Sequence, residues 1–118
     1  MTEQNLRENV LKPFEIAVKE GGANGIMSAF NDLGSIWCGA NYALLTEILR
    51  DEWGFRGAVT TDWNTPSDHT DCVLAGNDIR MPTGDPDVLR ESLTNGRLRR
   101  EHLEVCAKRL LELFLKFD

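Results

Sequence analysis

Three short apolar runs limit what this chain can fold into. GIMSAFN (25–31), GAVTTD (57–62) and DIRMP (78–82) are each bounded by turn residues, and segments with helical spacing separate them. A short apolar run between turns reads as a strand buried on both faces. Strands that alternate with helices imply right-handed crossovers and one parallel sheet. The expected class is α/β, with about three parallel strands.

The helical segments carry their own punctuation. From Leu6 to Glu20, apolar residues at 6, 10, 14 and 17 share one face, and Pro13 splits the segment into a turn and a helix that it opens. Gly21-Gly22 ends that helix. Asn41 reads as the N-cap of a helix over 42–53, with Leu44, Leu45, Ile48 and Leu49 inward and Gly54 as the stop. A helix is expected from near Pro66 to Gly76, and another in DPDVLRESLTNG (85–96). Over 98–117, Leu103, Cys106, Ala107, Leu110, Phe114 and Phe117 fall on one face, with Glu104/Lys108 and Glu112/Lys116 as i,i+4 pairs. DLGSIWCGA (32–40) reads as a loop. All of 1–118 reads as one domain.

Three parallel strands leave two open edges. A closed (β/α)₈ barrel takes about 250 residues, and this chain has 118. The chain would make up about half of such a barrel. Met27, Ala29, Val59 and Thr61 are assigned to its inner face, which would lack the opposite wall. Open edges and uncovered apolar faces invite pairing, so self-association is expected.

Charge narrows the function. The net charge of −6 argues against nucleic acid, because no basic patch offsets the acids and Arg97, Arg99 and Arg100 read as a solvated helix start. No run is long enough to span a membrane, and MTEQNLREN does not read as a signal peptide, so a cytoplasmic location is favoured. Cys38, Cys72 and Cys106 are an odd count without CxxC spacing and read as reduced, core-filling thiols. His69 lies in SDHTD beside Asp68 and Asp71, but no second ligand recurs at metal spacing. No metal or cofactor is expected.

The most informative residues close the second run. TTDWN (60–64) ends a strand on Asp62 with an indole beside it. A carboxylate there is paired, hydrated or held for chemistry. In parallel barrels, active sites lie at the C-terminal strand ends, where Asp62 falls. A capping role for Asp62 and a packing role for Trp63 are the plainer alternatives.

IMSAFNDLGSIWCGANYALLTEILRDEWGFRGAVTTDWN, followed by LAGNDIRMP, closely resembles the catalytic domain of family 3 glycoside hydrolases, the β-glucosidase and β-xylosidase group. The likeness covers essentially the whole chain and is most specific from Asn41 to Trp63. It implies a partial TIM barrel, the C-terminal part of a (β/α)₈ catalytic domain. It also implies a β-linked carbohydrate substrate and hydrolysis by double displacement, with Asp62 as nucleophile. Trp63 would offer its indole to the apolar face of a sugar, with Met27 and Phe30 as further substrate-binding positions.

The departures carry information too. Phe30 stands where the family has a tyrosine that donates to the nucleophile. Gly34-Ser35 replaces an Asn-Gly turn, Asn64 replaces a glycine, and Arg99 stands in place of a capping serine. The family's Lys-His pair and its Asp and Arg sugar ligands have no counterpart here. Asp68, Asp71 and Asp78 are carboxylates without a spacing that marks any of them as the acid. The chain therefore reads as a fragment of a retaining β-glycosidase, inactive by itself. The second reading is a non-catalytic sugar-binding or assembly module.

Overall fold

The computed structural model describes residues 1–117. The leading turn, Leu6–Val10, is wide: Leu11 N–H bonds the Leu6 carbonyl at 2.8 Å. Helix α1 (Lys12–Lys19) follows with Pro13 in its first turn, where the absent N–H costs nothing. Strand β1 (Gly25–Ser28) leads into a hairpin of β2 (Asp32–Leu33) and β3 (Ile36–Trp37). Helix α2 (Ala43–Glu52) has wide, i→i+5 turns, and its entry is capped by Asn41, whose Oδ1 accepts the Leu44 N–H at 3.0 Å. Strand β4 (Ala58–Thr61) precedes α3 (His69–Ala75), α4 (Pro86–Asn95) and α5 (Arg100–Leu115).

β1 and β4 pair in parallel, with Met27 opposite Thr60 and Ser28 opposite Thr61. The third expected strand contracts to one parallel bridge, Thr60 to Ile79. Side chains take over its ladder. The Asp78 carboxylate accepts the Val59 N–H at 2.9 Å, and the Thr61 hydroxyl accepts the Met81 N–H at 2.8 Å. Main-chain bonds join the same segments, with Thr61 N–H reaching the Ile79 carbonyl at 2.9 Å. Pairing does not extend past Ile79 as a ladder, and Pro82 has no N–H to donate to one.

The register corrects the assignment of faces. Ile26 lies opposite Val59, and Val59 is fully buried against Leu45, Leu49, Phe55 and Ala75 beneath the helices. Thr61 shares that side. The face Met27 shares is therefore that of Thr60, not of Val59 and Thr61. Nor is β1 buried on both sides, because Met27 is exposed; so is Phe30 beyond its end.

Other expectations shift by less. α3 starts at His69, not near Pro66, because the Asp68 carboxylate caps it through the Asp71 N–H at 2.8 Å. The loop expected at 32–40 holds the β2–β3 hairpin. Its two turn residues, Gly34 and Ser35, both have positive φ (60° and 71°), as a tight hairpin turn demands. On α5, Cys106 is buried, while Ala107 and Phe114 are exposed, as is Phe117 beyond its end. Its ion pairs are Arg100–Glu104 and Lys108–Glu112, not the expected ones. The three cysteines are buried and unpaired; burial pushes the Cys72 and Cys106 thiols up to about 11.

Among the described residues no helix is long and apolar enough to cross a membrane. An apolar groove of about 170 Å³ opens beside β1, with Val10, Phe14, Ile48 and Trp53 among its lining.

Candidate active site

The parallel register sends the C-terminal ends of β1, β4 and the segment after Ile79 to one rim. Asp62 lies there, one residue past Thr61. It is half-buried, and its Oδ1 accepts the Trp63 N–H at 2.6 Å. Among the described residues no cation stands within ion-pair distance of it. The carboxylate is thus neither a helix cap nor half of a salt bridge, which removes the plainer alternative.

The chain around it is held from one side. Asn64 N–H bonds the Met81 carbonyl at 3.1 Å, and Asn64 takes a left-handed φ of 57°. That conformation suits the glycine it replaces and is one asparagine tolerates. Trp63 is 60% exposed and does not pack into the core.

The other expected residues fall around this rim unequally. Met27 lies across from Thr60, one side-chain row below Asp62 by alternation. Phe30 stands beyond the end of β1 and packs on Trp37, ring centroids 6.1 Å apart at 58°. Trp37, half-exposed on the hairpin, was not among the residues read as functional. The Gly34-Ser35 turn was its signal, since a tight turn there carries the indole back over Phe30.

The three other carboxylates weighed as the acid are engaged. Asp78 has a fully buried side chain and accepts from Arg50 Nη2 at 2.8 Å and Arg109 Nη1 at 3.2 Å. Asp68 and Asp71 both meet Arg97. Burial alone would raise the Asp68 carboxyl, but the Asp71 N–H and Arg97 outweigh it and hold it below the usual range. His69 Nδ1 accepts the Asp85 N–H at 2.9 Å, so the ring is held as the neutral acceptor. Among the described residues no group of three His, Cys, Asp or Glu side chains could hold a metal ion.

Residues 1–113 match the pattern described as the glycosyl hydrolase family 3 N terminal domain. The chain belongs to glycosyl hydrolase family 3. The matched domain is the family's N-terminal one, which corrects the expectation of a C-terminal part. This family 3 chain is 35% identical to β-glucosidase B of Emericella nidulans over 122 residues, covering 100% of the chain and 14% of the relative. It is 42% identical to β-glucosidase A of Butyrivibrio fibrisolvens over 103 residues, 87% of the chain and 12% of the relative. The structure of β-glucosidase 3B from Thermotoga neapolitana in complex with glucose matches with a TM-score of 0.92 at 35% identity, over 97% of the chain and 17% of that protein. The fold is thus part of a TIM-barrel-like domain, and the family 3 chain spans about a seventh of these relatives' lengths.

Proposed function

We propose that this chain carries the nucleophile of a retaining β-glycosidase and is inactive by itself. The observation that carries the reading is the carboxylate of Asp62 at the C-terminal end of β4, unpaired by any cation among the described residues. In the proposed step, one carboxylate oxygen attacks the anomeric carbon. The bond from that carbon to the leaving oxygen breaks, and an ester to Asp62 forms. Trp63, Phe30 and Met27 are the side chains offered to the sugar, Trp63 through its exposed indole face.

A second carboxyl must protonate the leaving oxygen and later activate water. Asp68, Asp71 and Asp78 are all committed to arginines. That supports an acid/base from outside the chain and argues for incomplete catalysis here. A 2-deoxy-2-fluoro-β-glucoside with a dinitrophenolate leaving group removes the need for the acid, since that phenolate departs unprotonated. Mass spectrometry is expected to find the label slowly accumulating on Asp62, with none in Asp62→Asn. p-Nitrophenyl β-glucoside is expected not to turn over, because nothing activates water against the ester. Label confined to other residues, or no label at all, rejects the nucleophile reading. Steady turnover lost in Asp62→Asn rejects the inactivity.

The proposed partners are a β-linked carbohydrate and further copies of the chain. Supporting self-association are the unpaired edge of β1, its exposed Met27 and the groove lined by Val10 and Phe14. That edge carries no proline or charge to blunt it. Sedimentation should show mass rising with concentration, less so in Met27→Lys; a monomer at every concentration rejects this.

A further inference from the structure

We propose that Thr61 is a positioning residue for Asp62, acting through its hydroxyl; this rests on the nucleophile reading above. Thr61 is 2% exposed. Its hydroxyl donates to the Asp62 carbonyl at 3.0 Å and accepts the Met81 N–H at 2.8 Å. Its own N–H bonds the Ile79 carbonyl at 2.9 Å, and two residues on, the Asn64 N–H bonds the Met81 carbonyl at 3.1 Å.

These four bonds bracket Asp62. One lies before it, one lies after it, and the two through the hydroxyl tie its own carbonyl to the neighbouring segment. The carboxylate makes a single hydrogen bond, to the next residue's N–H. Its aim therefore follows the backbone it stands on. Free of the clamp, the peptide after Asp62 could rotate, and the carboxylate would swing with it. On one side β4 pairs with β1 up to Thr61. On the other the ladder is a single bridge just below Asp62, and the threonine hydroxyl supplies the restraint missing on that side.

Valine has the shape of threonine without the hydroxyl, and serine has the hydroxyl without the methyl. With the fluoroglucoside above, Thr61→Val is expected to lower the maximal labelling rate of Asp62 about tenfold or more. The probe concentration for half-maximal rate should stay unchanged. Thr61→Ser should label at close to the wild-type rate, although it removes buried methyl packing. Carbon-13 NMR of the Asp62 carboxyl is the independent measurement, expected to show a displaced resonance in Thr61→Val and a wild-type one in Thr61→Ser. Wild-type labelling with an unaltered rate and carboxyl resonance in Thr61→Val overturns the proposal and leaves the nucleophile standing. Equal loss in the serine and valine variants also overturns it, since packing alone would then explain both. No label on wild-type Asp62 removes the nucleophile reading itself. If Thr61→Val fails to fold, Thr61→Ala against Thr61→Ser, which differ only in the hydroxyl, decides by the same labelling rate.

Discussion

Arg50 Nη2 donates to Asp78 Oδ2 at 2.8 Å, with the two side chains 7% and 0% exposed. The same guanidinium reaches the Gly57 carbonyl at 3.0 Å and lies 5.5 Å over the Phe55 ring, while Arg109 takes the other oxygen of Asp78. One carboxylate thus ties α2, β4 and α5 together below the rim. Asp78→Asn leaves two partly or wholly buried cations without their counter-charge. Removing one partner of a buried pair costs about 3–5 kcal/mol. Urea melts should show that loss, and Asp78→Glu should not restore it, because the longer side chain cannot also accept the Val59 N–H in place.

Gly57 is required for a different reason. A Cβ built there would lie 2.0 Å from the Asn24 carbonyl oxygen and 2.5 Å from its carbon, and backbone cannot yield as a side-chain tip can. That contact holds the entries of β1 and β4 together, since the Ala58 N–H bonds the Asn24 carbonyl at 3.1 Å. Gly57→Ala should cost about 3 kcal/mol or more, at the severe end for a point change. Gly54 has a φ of 73° but open space around it. Gly54→Ala should cost only about 1–2 kcal/mol, from the left-handed backbone alone. Thermal melts of the two variants should separate widely.

Asn77 joins three segments. It accepts from the Ser28 hydroxyl at 2.9 Å and donates to the Gly39 and Cys72 carbonyls at 2.7 and 3.0 Å, all while 1% exposed. An aspartate there has no donor for the two carbonyls when ionised. Each unsatisfied buried group costs about 1–3 kcal/mol. Asn77→Asp should melt well below wild type at pH 8 and recover part of the difference near pH 4.5, where a protonated acid can again donate.

What the sequence made legible was local. Asn41 capping α2, Pro13 opening α1 and Gly54, Gly76 and Gly96 closing helices each depend on a few neighbouring residues. Asp62 ending its strand was legible for the same reason. The third strand was not, because Asp78 and Thr61 replace its ladder with side-chain bonds that no periodicity records. The faces of β4 were misread because a four-residue run offers two alternations, and only pairing with β1 selects one. Along α5, Arg100, Glu104, Lys108, Glu112 and Lys116 form a continuous i,i+4 series, so either set of pairs satisfies the pattern. Packing decides, and Lys116 turns instead to Asn24. Trp37 was missed because two-residue strands are too short to show a period.

His69 should make stability fall with acid near neutrality. Burial of the ring lowers its pKa below the ordinary value, and the Arg80 charge adds to this, against the opposing pull of Asp85 and Asp68. Its Nδ1 accepts the Asp85 N–H that opens α4, a bond only the neutral ring can make at that atom. With the folded pKa below the unfolded one, the unfolded chain binds the proton more readily. The contribution is therefore complete above about pH 6.5, the unfolded value, and is lost as pH falls from there through the folded value. Asp68 and the other depressed carboxylates release their stability only at lower pH. His69→Asn, whose amide oxygen can accept the same N–H without titrating, isolates the effect. Wild type should lose melting temperature between pH 7.5 and 5.5, and His69→Asn distinctly less. Equal losses in both would mean that the ring at His69 does not govern acid sensitivity in this range.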